Sequence, residues 1–202
     1  MLGREDVSEG VAEGALVDDM AKMMRWFAFG GYRQQYQCGL EGALMSRPLL
    51  EWQIRKRVLA LPNVTVRDEC SVTSLITTGE PKAVTGLEIE DRSQAGQRES
   101  LMADLVVDAT GRGSSSPKWL EAMGYAAPAE TEIKINVGYA TRIYRRTPND
   151  LTDAALVLIT PYAPHDKRGC FMFPIEGDRW IVTAGGWAGD YPPTDEAGYL
   201  EY

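Results

Sequence analysis

The 202-residue chain is poor in the side chains that build metal sites and nucleophilic triads: three cysteines and one histidine. Cys38, Cys70 and Cys170 are far apart and odd in number, with no C-x-x-C pair. That spacing excludes a cysteine-based zinc site, so no metal is expected, and it argues against a disulfide framework. A reducing, cytoplasmic setting is the natural expectation. His165 stands in a loop between Pro164 and Asp166. A Ser-His-Asp triad needs a packed, oriented base, and a loop histidine beside prolines reads as a solvated residue. Long apolar runs are also missing. The uncharged stretch 154–165 is too short to span a bilayer, so no transmembrane segment is expected. The N-terminal residues mix charge and glycine and lack the apolar core of a secretory signal, and Leu2 excludes N-myristoylation. Basic charge is in deficit: 21 Lys+Arg against 29 Asp+Glu leave a net charge of −8. Phosphate neutralisation needs a basic face, so nucleic acid is not an expected partner, and neither is a polybasic membrane anchor.

What is present is an ordinary globular composition, 44% hydrophobic and 25% charged, at a length that suits one large domain or two small ones. Residues 1–24 read as an acidic helix or turn region. Two aromatic-rich segments around Gly30-Gly31 read as a β-hairpin. Ser46 offers a helix cap and Pro48 an early helical position. Leu49, Leu50, Ile54, Val58 and Leu61 follow at roughly helical spacing until Pro62. Strand patterns then dominate. Residues 64–67 form a short β-branched run, and 71–78 and 83–90 pair around the Gly79-Glu80-Pro81 turn. Residues 101–108 end in the continuous apolar run Leu105-Val106-Val107, which suits a strand buried on both faces of a parallel sheet. A helix over 117–123 follows. Residues 131–144, 154–160, 169–174 and 179–185 read as long antiparallel strands, and Thr194-Asp195-Glu196 opens a final helix.

The most informative segment is Asp108-Ala109-Thr110-Gly111-Arg112-Gly113-Ser114, between an apolar strand and a helix. Small residues and glycines there let a backbone approach a ligand closely, and a helix start favours an anionic group. Gly111-x-Gly113-x-x-Ser116 falls one residue short of the dinucleotide fingerprint. A plain strand-to-helix turn selects the same residue types. A first Rossmann loop would be followed by a short parallel strand ending in an acidic residue, whereas Tyr125-Ala126-Ala127-Pro128 and a long amphipathic segment follow here. The loop therefore reads as a later strand end of a sheet whose first loop lies elsewhere.

Several pieces occur in a recognisable order. They are Ser46-Arg47-Pro48-Leu49-Leu50-Glu51 before a helix, Pro62-Asn63-Val64-Thr65-Val66, a three-stranded meander, and Asp104-Leu105-Val106-Val107-Asp108-Ala109-Thr110-Gly111. With Gly124-Tyr125, the 138–144 strand and the segment 174–180, this order resembles the FAD-dependent monooxygenases and hydroxylases related to p-hydroxybenzoate hydroxylase. Flavin halogenases and geranylgeranyl reductases are cousins of that family. The resemblance covers about residues 25–200. It implies a mixed α/β (α+β) fold, a partial FAD/NAD(P)-binding domain with a β-meander plus an antiparallel β-sheet substrate domain. The implied division is a lead-in and hairpin on the substrate side (1–45), the middle of the FAD domain (46–124) and the substrate sheet (125–202).

The same resemblance implies FAD as cofactor, with NADPH or NADH as co-substrate. It places Arg47 toward the flavin ribityl or phosphate region, the Val72 backbone near the adenine, and Asp108, Ala109, Thr110 and Gly111 in the second cofactor-facing segment. Arg112 faces either a nicotinamide cofactor or solvent. Trp26, Phe29, Tyr139 and Phe173, beside Phe27, Phe171 and Trp187, would wall the pocket for a small organic substrate, although aromatics on strands also serve as packing. The family's first G-x-G-x-x-G loop and its later Gly-Asp flavin motif have no counterpart in these residues. The resemblance thus implies an internal part of a longer enzyme, inactive by itself, whose partners are the N- and C-terminal parts of the same protein. The implied reaction is NAD(P)H- and O2-dependent hydroxylation of an aromatic or lipophilic substrate. A halogenase competes, though no W-x-W-x-I-P motif is present, as does a prenyl reductase. A non-catalytic β-rich binding module is the reading from another class.

Overall fold

The computed structural model describes residues 4–80, 82–93, 96–151 and 154–202. They fall into two compact units, one running to Leu61 and resuming at Ile133–Tyr202, the other Pro62–Glu132.

The first unit opens with helix α1 (Arg4–Ala12), strand β1 (Leu16–Asp19), the single turn α2 (Met20–Met23), the hairpin β2 (Met24–Ala28) and β3 (Gly31–Tyr32), strand β4 (Glu41–Leu44) and helix α3 (Arg47–Leu59). The hairpin is tighter than its two glycines imply. Its loop is Phe29-Gly30, with φ of 53° and 76°, the two positive values of a type I′ turn. Helix α3 begins where the sequence indicates. Ser46 Oγ accepts from the Leu49 N–H at 3.2 Å, and Pro48 occupies the first turn. The Ser46 N–H donates to Glu176 Oε2 at 2.9 Å, which ties the helix start to the distant Glu176-Gly177-Asp178 turn.

Strands β8 (Gly138–Arg145), β9 (Leu156–Ile159), β10 (Arg168–Ile175) and β11 (Arg179–Gly186) join the hairpin in a six-stranded sheet of order β3-β2-β9-β10-β11-β8, followed by helix α5 (Glu196–Glu201). The sheet is mixed rather than wholly antiparallel, because β2 runs parallel to β9, with Trp26 opposite Leu158. Strand β8 starts at Gly138, later than the expected 131, because its ladder begins opposite Gly186, where β11 ends. Met23, Ala28, Leu44, Ile175, Trp180 and Tyr199 are buried in this unit.

The second unit is the meander β5 (Cys70–Thr78), β6 (Ala83–Asp91) and β7 (Gln97–Met102), then a turn of 3₁₀ helix at Gly111–Gly113 and helix α4 (Ser116–Ala122). The β5–β6 pair forms as expected; Pro81 of its turn lies outside the described residues. Gly86 is obligatory here, since a Cβ would stand 2.3 Å from the Leu101 carbonyl oxygen of β7. One expected strand is absent and another is shorter than expected. Residues 64–67 join no ladder, and of the expected strand 101–108 only Leu101 and Met102 pair, in β7, while Leu105-Val106-Val107 has no ladder partner among the described residues. A β-branched or apolar run becomes a strand only where a neighbouring strand takes its N–H and C=O groups. Ile89 is the one buried large apolar side chain among the described residues of this unit.

Candidate functional site

The segment between β7 and α4 is organised by Asp108. Its Oδ1 accepts from the Thr110 N–H at 2.9 Å and the Thr110 hydroxyl at 2.6 Å. Its Oδ2 accepts from the Ser114 hydroxyl at 2.6 Å and from the Ser116 hydroxyl. Four donors fill the roughly four lone-pair sites of a carboxylate. Hydroxyls of Ser114, Ser116 and Thr110, with the Thr110 N–H, hold the Asp108 carboxyl far below the usual carboxylate range. Ser114 Oγ in turn accepts from the Ser116 N–H at 3.0 Å, at the start of α4. Gly111 makes the bend with φ of 71°, and a Cβ there would meet open space. Asp108 is therefore spent on shaping the loop, and the backbone of Ala109–Gly111 is what the loop presents.

That loop forms one wall of a cleft of about 600 Å³. The opposite wall is the meander, through Cys70, Ser71, Val72, Leu75, Val84 and Leu87, and Val106, Val107, Trp119 and Leu120 line the rest. The cleft thus brings together Val72, Asp108, Ala109 and Thr110, four of the six cofactor-facing residues inferred from the sequence. Gly111 lies next to it, in a shallower depression with Ser114, Pro117 and Pro128. Arg47 belongs to the other unit, exposed at the start of α3. Cys70, Ser71, Trp119 and Leu120 went unnoticed in the sequence. Trp119 and Leu120 could have been found from their place one turn into the helix behind the loop; Cys70 carries no such signal.

The substrate-side residues lie in the first unit. Register places Trp26, Leu158, Phe171, Thr183 and Thr141 in one row across five strands, hence on one face of the sheet. Phe173 and Tyr139, two residues along their strands, share that face. Phe171 and Phe173 stack at 5.9 Å. Thr141 and Thr183 share a hydroxyl hydrogen bond of 2.8 Å at the β8 end of the row, and Trp26 Nε1 donates to Thr160 Oγ1 at 3.0 Å. Tyr139 is 75% exposed. Phe27 falls on the opposite face with Ile159 and Cys170. There α5 packs, its Tyr199 hydroxyl donating to the Val182 carbonyl at 2.9 Å. Phe29 is in neither place. It sits at the hairpin tip, edge-on to Tyr162 at 5.4 Å and beneath Arg33 at 5.2 Å. His165 is exposed and stacks on Tyr162 at 5.5 Å.

Another carboxylate missed in the sequence anchors the hairpin-side loop. Asp19 accepts from the N–H groups of Ala21, Lys22 and Gly39 and from the Cys38 thiol. Burial pushes its carboxyl up, but the donors from Cys38, Gly39 and Lys22 outweigh that and leave it at about 2. Among the described residues no group of three or more His, Cys, Asp or Glu is placed to hold a metal, and no helix is long and apolar enough to cross a membrane.

Comparison with solved structures places this architecture. The chain superposes on a probable FAD-dependent monooxygenase of Pseudomonas aeruginosa, PqsL, with a TM-score of 0.65 at 14% identity, over 89% of this chain and 45% of that one. The chain thus shares its fold with part of that protein. A triple mutant of the flavin-dependent brominase Bmp2 matches with a TM-score of 0.56 at 14% identity, over 96% of this chain and 44% of that one. A flavoprotein/dehydrogenase of Cytophaga hutchinsonii matches with a TM-score of 0.54 at 14% identity, over 98% and 44%. In sequence, the chain is 37% identical over 156 residues to Protein Rv3254 of Mycobacterium tuberculosis, covering 73% of this chain and 31% of that protein. No family model matches. The chain spans less than half the length of each of those three proteins, and about a third of Protein Rv3254.

Proposed function

We propose that the chain is an internal part of an FAD-dependent oxidoreductase of the monooxygenase type, whose second unit holds the uncharged portion of FAD in the cleft between the meander and α4. The observation that carries this is the convergence of Val72, Ala109 and Thr110 on one cleft, within a fold shared with FAD-dependent enzymes. The residues fit that portion of the cofactor. Val72, Leu75, Leu87 and Trp119 supply an apolar wall for a planar ring. The Ala109–Gly111 backbone, without a bulky side chain at its bend, allows close approach of a hydroxylated chain. Among the described residues no Lys or Arg lines the cleft, so the diphosphate has no counter-charge from them within it. In this reading the exposed guanidinium of Arg47 is a cofactor contact of the first unit, as a guanidinium suits a diphosphate. Bound flavin would supply the redox chemistry, with NADPH or NADH as reductant and O2 as oxidant.

The chain's own task is then binding and orientation. Asp108 positions the loop and does not touch the cofactor. The sheet face carrying Trp26, Tyr139 and Phe173 receives an aromatic or lipophilic substrate, with the Thr141–Thr183 hydroxyl pair as its polar point. The test is flavin content of the longest polypeptide the gene specifies. One FAD per chain is expected, with clear loss after dialysis in Arg47→Ala and in Ala109→Trp, which fills the cleft. A colourless protein contradicts the reading and favours a binding module without cofactor. A substrate-dependent incorporation of halide in place of oxygen would move it to the halogenases.

A further inference from the structure

The turn Glu176-Gly177-Asp178 aims a carboxylate at another element. Ile175 of β10 and Arg179 of β11 face each other in the ladder, so three residues make the reversal. The Glu176 side chain leaves it toward the start of α3, 130 residues away in sequence. Its Oε2 accepts from the Ser46 N–H at 2.9 Å, and its Oε1 accepts from Arg179 Nη2 at 3.1 Å. Arg179 Nε also donates to the Glu176 carbonyl at 3.0 Å, so one guanidinium holds both the side chain and the backbone of Glu176. Gly14 closes another side: a Cβ there would stand 3.3 Å from the Glu176 Cβ. The Glu176 side chain is 18% exposed, and Ser46 is buried. Burial pushes the carboxyl up, but hydrogen bonds from Ser46 and the charge of Arg179 outweigh that and hold it below the usual carboxylate range. An ionised carboxylate therefore stands at the positive end of a 13-residue helix.

We propose, on the reading that Arg47 contacts the cofactor, that Glu176 is a positioning residue for that contact: held by Arg179, it fixes the Ser46 backbone and so the point from which Arg47 meets the cofactor. Three observations select positioning over a plain packing contact. Ser46 is both the cap of α3 and the residue before Arg47, so a shift of its backbone moves the arginine directly. The N–H groups at a helix start have no acceptor within the helix, and Glu176 supplies one to the buried Ser46. Arg179 offsets the negative charge, and among the described residues no ion pair joins Arg47 to Glu176, so the exposed Arg47 guanidinium is left for an anion outside this network. The strands that this turn joins carry Phe171, Phe173 and Thr183. One carboxylate thus ties the sheet face proposed for substrate to the helix proposed for cofactor.

A double-mutant cycle on flavin binding, in the longest polypeptide the gene specifies, tests it. Apoprotein is titrated with FAD, and Kd is read from flavin fluorescence. Arg47→Ala and Glu176→Ala are each expected to raise Kd about tenfold, and the double variant no further than Arg47→Ala alone, because Glu176 acts through that arginine. Multiplying effects, about 100-fold in the double variant, overturn the proposal, since a general loosening of the fold acts independently of Arg47. An unchanged Kd in Glu176→Ala, with weaker binding in Arg47→Ala, also overturns it and leaves the flavin reading standing. An unchanged Kd in Arg47→Ala removes that arginine from the cofactor and the proposal with it. An unmodified apoprotein that takes up no FAD overturns the flavin reading as well. Should Glu176→Ala fail to fold, Arg179→Gln runs the same cycle, because it leaves Glu176 in place without its guanidinium. It is expected to raise Kd about threefold by itself and not at all in the Arg47→Ala background; an equal rise in both backgrounds overturns the proposal.

Discussion

The Ser114 hydroxyl donates to Asp108 Oδ2 at 2.6 Å across a six-residue span, and this bond, with those from Thr110 and Ser116, sets the shape of the loop that walls the cleft. A free carboxylate at this point would repel a phosphate-bearing ligand at close range. A saturated one serves as a staple, and its charge is met by four donors.

The pH dependence of the loop follows. The donors hold the Asp108 carboxyl below its value in the unfolded chain, so its contribution to stability is fully present above the unfolded value, about pH 4, and is lost as pH falls toward the lowered native one. Asp108→Asn should therefore flatten the fall in the urea midpoint between about pH 4 and the acid limit of the native fold. An acid-side slope identical to that of the unmodified chain would contradict the staple.

Gly111 separates strain from crowding. A Cβ at this position meets nothing within 4 Å, but φ is 71°. Gly111→Ala should cost about 1–2 kcal/mol in chemical denaturation from the left-handed backbone alone. In the longer protein, weaker flavin retention in Gly111→Val than in Gly111→Ala would come from the larger side chain at the approach to the cleft. Equal retention in both variants would remove Gly111 from the cofactor's path.

Gln53 of α3 is 3% exposed and its side-chain amide nitrogen has no acceptor among the described residues. A buried donor without a partner costs about 1–3 kcal/mol, so Gln53→Leu should stabilise the chain by about 1 kcal/mol or more. A destabilised variant would mean that the amide is already satisfied.

Legibility in the sequence tracked locality. Ser46 with Pro48, and the Asp108–Ser116 loop, were readable because capping and turn chemistry act within a few residues. The hairpin was readable, though its bend fell on Phe29-Gly30 rather than Gly30-Gly31. Strand β1 was missed because Leu16–Asp19 is short and half acidic; its pairing with β4 and the hold of Asp19 on Gly39 set it. The parallel β2–β9 pair was not readable, since Trp26 and Leu158 meet only in the folded chain. Leu105–Val107 had the composition of a strand without a strand beside it, and composition cannot report a partner. The cleft residues Cys70 and Trp119 converge from separate elements for the same reason.

Cys70 gives the most direct test of the central claim, that the meander–α4 cleft holds part of FAD. Cys70 is among the residues lining the cleft, Cys38 is exposed elsewhere, and burial pushes the Cys170 thiol up and leaves it less reactive. In the longest polypeptide, stripped of flavin and titrated with FAD, the rate of thiol alkylation at Cys70, read by peptide mass spectrometry, should fall at least about tenfold with saturation while Cys38 is unaffected. An unchanged Cys70 rate at saturating FAD would place the cofactor outside this cleft and contradict the account.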